Sequence, residues 1–251
     1  MEKDNLIKYV TYLADNNLIL GHRLSEWCGH GPVLEQDIAL ANIALDLIGQ
    51  SRMYYQYAAE LTGGDTTEDT LAYLRVEREY LNILLAERPN GDFGVTMARQ
   101  FIYDSYHFYF LQELVKSTDT RLSQIAEKSI KEVAYHKRYS SEWLIRLGDG
   151  TEESHRRMQA GIDELWKYAD EPLIPATWET PLIQQGIAPN PATIKHQIDS
   201  FRSSSMHAAT LSFPKDVVAQ SGGKNGMHTE YLGHLLTELQ YVQRAYPGLE
   251  W

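Results

Sequence analysis

Apolar residues recur at three- and four-residue steps along most of this chain, the repeat of one face of an α-helix. From about Asn5 to Cys28, Leu6, Val10, Leu13, Leu20, Leu24 and Trp27 keep that step, and Gly29, Gly31 and Pro32 end it. A second helix is predicted from Val33 to about Leu61, with Leu34, Ile38, Ala41, Leu45 and Ile48 as its apolar stripe and Gly63-Gly64 as its stop. Thr66-x-x-Asp69 then reads as a capping-box start for a third helix, whose stripe is Leu71, Leu74, Leu81 and Leu85.

Pro89-Asn-Gly-Asp92 is a turn signature. Further helices follow to about Lys116, from about Thr120 to Leu147, and from Glu152 to Ala169. Pro172, Pro175, Pro181, Pro189 and Pro191 forbid a helix between Glu171 and Asn190. Within that stretch Trp178, Leu182 and Ile183 predict a long loop packed on the helices. Two more helices, about Ala192–Ala209 and Thr229–Tyr246, complete the chain. No useful length alternates with a strand period, so the class is all-α.

Composition narrows the function. The 251 residues carry a net charge of −11 and no Lys/Arg cluster, which argues against nucleic acid or an anionic membrane as partner. Cys28 is the single cysteine, so an intrachain disulfide and a cysteine-rich zinc site are excluded. The N-terminus lacks the apolar core of a secretory signal, and the most apolar stretch, Ile38 to Ile48, is too short to span a bilayer. A cytoplasmic location is expected.

Helical bundles hold paired metals with a Glu from each of two helices and Glu-x-x-His from each of two others. The three-residue spacing sets both ligands on one face. Only two histidines here follow an acid by three: His155 after Glu152, and His107 after Asp104. Glu152 falls in the first turn of a helix, where the helix dipole alone favours an acid. Asp104 and His107 lie within an aromatic run, Phe101 to Phe110. On the next helix Glu132 and His136 stand four apart, with Tyr135 where a ligand histidine would fall. Three after Asp46 on the second helix comes Gly49. The pattern is short of a histidine. It predicts a buried polar cluster of Asp46, Asp104, His107, Glu132 and His136, joined by Arg99 or Lys128, with no catalytic, cofactor-binding or metal-binding residue assigned.

Ser221-Gly-Gly-Lys-Asn-Gly226 looks like a phosphate-cradling loop but lacks the required spacing and a preceding strand. It reads rather as a loop that starts the last helix, with Thr229 as cap, while phosphate or coenzyme A contact stays open.

Four segments carry a resemblance: Glu26-Trp-Cys-Gly-His30, Leu40 to Gln50 (LANIALDLIGQ), Lys131-Glu-x-x-Tyr-His136 and Gly222-Gly-Lys-x-Gly-x-His-Thr-Glu230. With the closing Pro247-Gly-Leu-Glu-Trp251 they resemble, in order, the C subunits of bacterial phenylacetyl-CoA epoxidases (ring 1,2-phenylacetyl-CoA monooxygenases). The resemblance implies one ferritin-like domain over residues 1–251, with a core bundle over about 5–147 and a long loop and C-terminal helices over about 152–251. It implies a non-catalytic structural subunit in aerobic phenylacetate breakdown. The partner A subunit would hold the di-iron centre and epoxidise the ring of the CoA thioester, forming heterodimers that build larger assemblies. A separate reductase would carry FAD and an iron–sulfur centre.

Two other readings remain beside it. One is a degenerate metal-carboxylate oxygenase using Asp104, His107, Glu132 and His136. The other is a homodimeric helical module binding an acyl-CoA. The aromatic run 101–110 and Tyr54, Tyr55 and Tyr57 are the candidate partner surfaces, with internal core as the alternative for each.

Overall fold

The computed structural model describes residues Glu2–Leu249. Met1, Glu250 and Trp251 lie outside the described residues, and with them the end of the Pro247–Trp251 motif. Nine α-helices and no strand occur among the described residues: α1 (Glu2–Ser25), α2 (Leu34–Thr62), α3 (Glu68–Tyr73), α4 (Phe93–Leu114), α5 (Thr120–Gly148), α6 (Glu152–Leu165), α7 (Thr180–Gln184), α8 (Pro191–Ala208) and α9 (Glu230–Ala245). No helix among them is long and apolar enough to cross a membrane. The chain divides into two compact units, one built from residues up to Pro89 together with those from Ser221 onward, the other from Asn90–Gln220.

In the first unit α1 packs along α2, and α3 and α9 sit together. Gly21 sets the α1–α2 distance, because a Cβ there would lie 3.1 Å from Ile48 Cγ1 and 3.2 Å from the Ala44 carbonyl oxygen. The face of α2 that meets this core carries Leu40, Ile43, Ala44, Leu47, Tyr54 and Tyr55. The stripe that the sequence marks most plainly, Leu34, Ile38, Leu45 and Ile48, is the outward one. The helix is apolar on both sides, so periodicity alone could not choose between them.

The predicted third helix is the main departure. α3 ends at Tyr73, and Thr67, not Thr66, caps it by accepting from Thr70 N. Buried side chains on α1 claim the backbone that would have continued it. Asp15 accepts from Leu81 N at 2.8 Å, and Asn16 Oδ1 accepts from Ile83 N at 2.9 Å. Arg75 turns inward to the Asp15 carboxylate and lies over the Tyr80 ring at 4.1 Å. These bonds hold residues 80–83 in irregular backbone against α1, and a leucine stripe at helical spacing does not outweigh them.

In the second unit α4 is central and touches α5, α6 and α8. Phe101, Tyr103, Tyr106 and Phe110 are buried there, as Tyr54 and Tyr55 are in the first unit, so these aromatics are core and not partner surface. Gly161 lets α6 approach α4, since a Cβ would lie 3.0 Å from Val95 Cα. Arg202 of α8 reaches α4, donating from Nε to Ser105 Oγ at 2.8 Å and from Nη2 to the Ile102 carbonyl at 2.9 Å. The proline segment is not wholly loop. It contains a 3-10 turn, Glu171–Leu173, and α7, in which Pro181 takes a first-turn position where no backbone N–H is needed. Trp178 and Leu182 are buried as expected.

Candidate functional site

α4 and α5 bring three of the five predicted polar residues together. Asp104, His107 and His136 are all buried, with His136 close enough to act electrostatically on both of the others. Among the described residues neither Asp104 oxygen takes a hydrogen bond of ordinary geometry; the nearby Ser140 hydroxyl turns back to the Lys137 carbonyl at 3.4 Å. Burial raises the Asp104 carboxyl to a pKa of about 6, although His136, Ser140 and Arg99 pull the other way. Burial, then the neighbouring His136, pushes His107 down to about 3. Among the described residues its Nδ1 has no hydrogen-bond partner, and its ring stands edge-on to Tyr103 at 5.1 Å. The cluster therefore disfavours charge: near neutrality His107 is uncharged, and Asp104 ionises at a distinctly higher pH than in water.

The other residues fall elsewhere. Glu132 is half-buried one turn before His136, Lys128 is exposed, and Asp46 lies half-buried on α2 in the first unit. Tyr135, three residues after Glu132, is 38% exposed, and Gly49 is exposed as well. Both face the wrong way to serve as ligand positions. The inward pair at ligand spacing on α5 is Val133 and His136. A histidine stands there, with valine in the place of its acid. On α2 the corresponding buried pair is Leu47 and Gln50.

A di-iron cage needs four carboxylates and two histidines converging from four helices. Among the described residues no three His, Cys, Asp or Glu side chains are placed to share one metal ion. The donor set does not fit such a cage.

A second buried centre, in the first unit, matches no ligand spacing in the sequence. His228 Nδ1 lies 2.8 Å from Glu87 Oε2, and its Nε2 lies 2.8 Å from the Tyr80 carbonyl oxygen. Glu87 also accepts from Thr229 N at 2.6 Å and from Asn82 Nδ2 at 3.0 Å. The only signal is His228 itself, at the end of the glycine-rich segment. That segment is packed away, not open to a phosphate. Lys224 is buried with Nζ over the Tyr12 ring at 4.9 Å, and a Cβ on Gly223 would collide with the Asn82 carbonyl. Thr229 does occupy the N-cap of α9, but its side chain makes no capping bond, and Glu87 bonds the Thr229 backbone N–H instead.

The chain is 46% identical over 249 residues to the C subunit of the 1,2-phenylacetyl-CoA epoxidase of Escherichia coli (strain K12), covering 99% of this chain and 100% of that protein. Residues 1–251 match the family described as phenylacetic acid catabolic protein. With the match running end to end, the chain belongs to the phenylacetic acid catabolic protein family.

Proposed function

We propose that this chain is a non-catalytic, cytoplasmic structural subunit of a multicomponent monooxygenase that epoxidises the aromatic ring of phenylacetyl-CoA. It holds and positions a related catalytic A subunit, which carries the di-iron centre, while a separate flavin and iron–sulfur reductase supplies electrons. The observation that carries the reading is the 46% identity, over essentially the whole of both chains, to a protein named as the C subunit of such an epoxidase.

The chemistry of the buried cluster supports it. Where a ligand pair would stand on α5, Val133 takes the place of the acid before His136. The reading of the chain as an oxygenase in its own right finds no support in these residues.

Two measurements test the proposal. Iron and manganese per chain, determined after expression alone in metal-supplemented medium, should be near zero. Coexpression with the A subunit should give one peak on gel filtration that contains both chains. Stoichiometric iron, or separate elution of the two chains, would overturn it.

A further inference from the structure

α2 presents two apolar faces, and this chain covers one of them. On the other, Leu34, Ile38 and Leu45 are 72%, 52% and 66% exposed, and Ile48 lies at its edge. Ala41, Asn42 and Gly49 fill the spaces between them. From Leu34 to Gly49 this face bears no charge over four turns, a strip about 22 Å long. Single exposed leucines are ordinary. A continuous uncharged row is not, and a helix apolar all round is normally a buried one.

Gly49 adds an independent sign. A glycine inside a helix is destabilising relative to alanine. Gly21 has a reason within the fold, the close approach of α2. A Cβ at Gly49 would meet nothing within 4 Å. Among the described residues nothing uses the absent side chain, whereas a backbone arriving from outside could come close there.

Charge chooses the occupant. α2 carries Glu35, Asp37 and Asp46 beside the strip, and its one cation, Arg52, is bonded to Glu68 at 3.1 Å. A two-fold pairing of identical chains sets a patch against itself, so these acids would face each other. A different chain with Lys or Arg flanking its own apolar ridge would meet them with opposite charge. A stable interface buries about 800 Å² per partner, with an uncharged centre and a polar rim. The strip has the composition of that centre, and the three acids that of the rim.

We infer that the Leu34–Gly49 face of α2 is the docking surface for a helix of the non-identical partner subunit, one with an apolar ridge and basic flanks. This rests on the structural-subunit reading above and adds where the partner sits.

The test measures binding of the purified A subunit by calorimetry to the full-length chain and to Leu45→Glu, Gly49→Leu and, as a control on an exposed loop, Val218→Glu. Circular dichroism and thermal melts of each isolated chain accompany it. Leu45→Glu and Gly49→Leu should each weaken binding by roughly tenfold or more. Their helicity should be retained, with the melting temperature of Gly49→Leu unchanged or raised, and Val218→Glu should bind like wild type. Wild-type affinity in both strip variants would overturn the docking site while leaving the structural-subunit reading intact. No binding by the wild-type chain would overturn that reading itself. Loss of a wild-type homodimer in the strip variants, with binding of the A subunit unaltered, would assign the face to a second copy and overturn the proposal.

Discussion

His228 and Glu87 form a buried charged pair whose histidine is also bonded at its far nitrogen. The second partner is the Tyr80 carbonyl, and both partners are acceptors, so the ring carries both protons. Burial alone would lower the His228 pKa. The bond to Glu87, the charge of Glu87, the Tyr80 carbonyl and Asp15 outweigh burial, and the net shift is upward. A raised pKa means that the folded chain holds the proton more tightly than the unfolded one. The resulting stability is complete below the ordinary histidine value of about 6.5 and fades as pH rises through the higher folded value. Urea unfolding should therefore show wild type more stable than His228→Gln by about 2 kcal/mol at pH 6, with the gap closing at alkaline pH. A gap that widens with pH would mean the pair is not held as an imidazolium.

Asp104 predicts a pH effect tied to a different substitution. Its carboxyl titrates at about 6 in the fold against 3.8 for an aspartate in water, so the stability that its proton gives is lost as pH rises between those values. Asn has no proton to lose. Asp104→Asn should thus gain on wild type by roughly 2 kcal/mol between pH 4 and pH 7, read by urea unfolding at both. If wild type instead gains on the variant over that range, the carboxylate is well paired and its ionisation is favoured.

The fold was legible in the sequence where one helix face decides the structure. α1, α4, α5, α6, α8 and α9 fall within a few residues of their predicted spans because caps, glycines and apolar steps agree there. Legibility ended where a distant side chain competes for backbone. Nothing local to Leu71–Leu85 announces that Asp15 and Asn16 will take the N–H groups of Leu81 and Ile83. It ended again where two faces look alike, as on α2, and where spacing is counted from Glu132, which is not the inward residue of its turn. The pairing of α4 with α5 polar residues was legible as a list of positions. That Val133, and not Glu132, is the inward residue one turn before His136 needed the rotation of α5, because positions three and four residues before His136 both lie near its face.

Arg75 is held at the one point where the predicted helix fails. Its guanidinium meets the buried Asp15 carboxylate, and Gln240 Nε2 bonds its carbonyl at 3.0 Å. Arg75→Met leaves a buried aspartate without its cation and should cost about 3–5 kcal/mol. Adding Asp15→Asn to Arg75→Met should recover part of that loss, because the stranded charge is gone. Simple additivity in this double-mutant cycle would show that the two side chains do not depend on each other.

Val133 and Tyr135 separate the inward face of α5 from the outward one. Val133→Glu writes an acid three residues before the buried His136, on the fully buried face of α5. In metal-free buffer it should destabilise the chain by about 3 kcal/mol or more, since an uncompensated charge enters the core. Tyr135→His also completes a Glu-x-x-His string, Glu132 to 135, yet position 135 is 38% exposed and packs chiefly on Tyr139 and under Arg138. That substitution should change stability by no more than about 1 kcal/mol. Chemical denaturation of the two variants decides the point. A costly Tyr135→His beside a tolerated Val133→Glu would mean that α5 is rotated by about one residue from the packing described, and that the acid missing from the site is Glu132 after all.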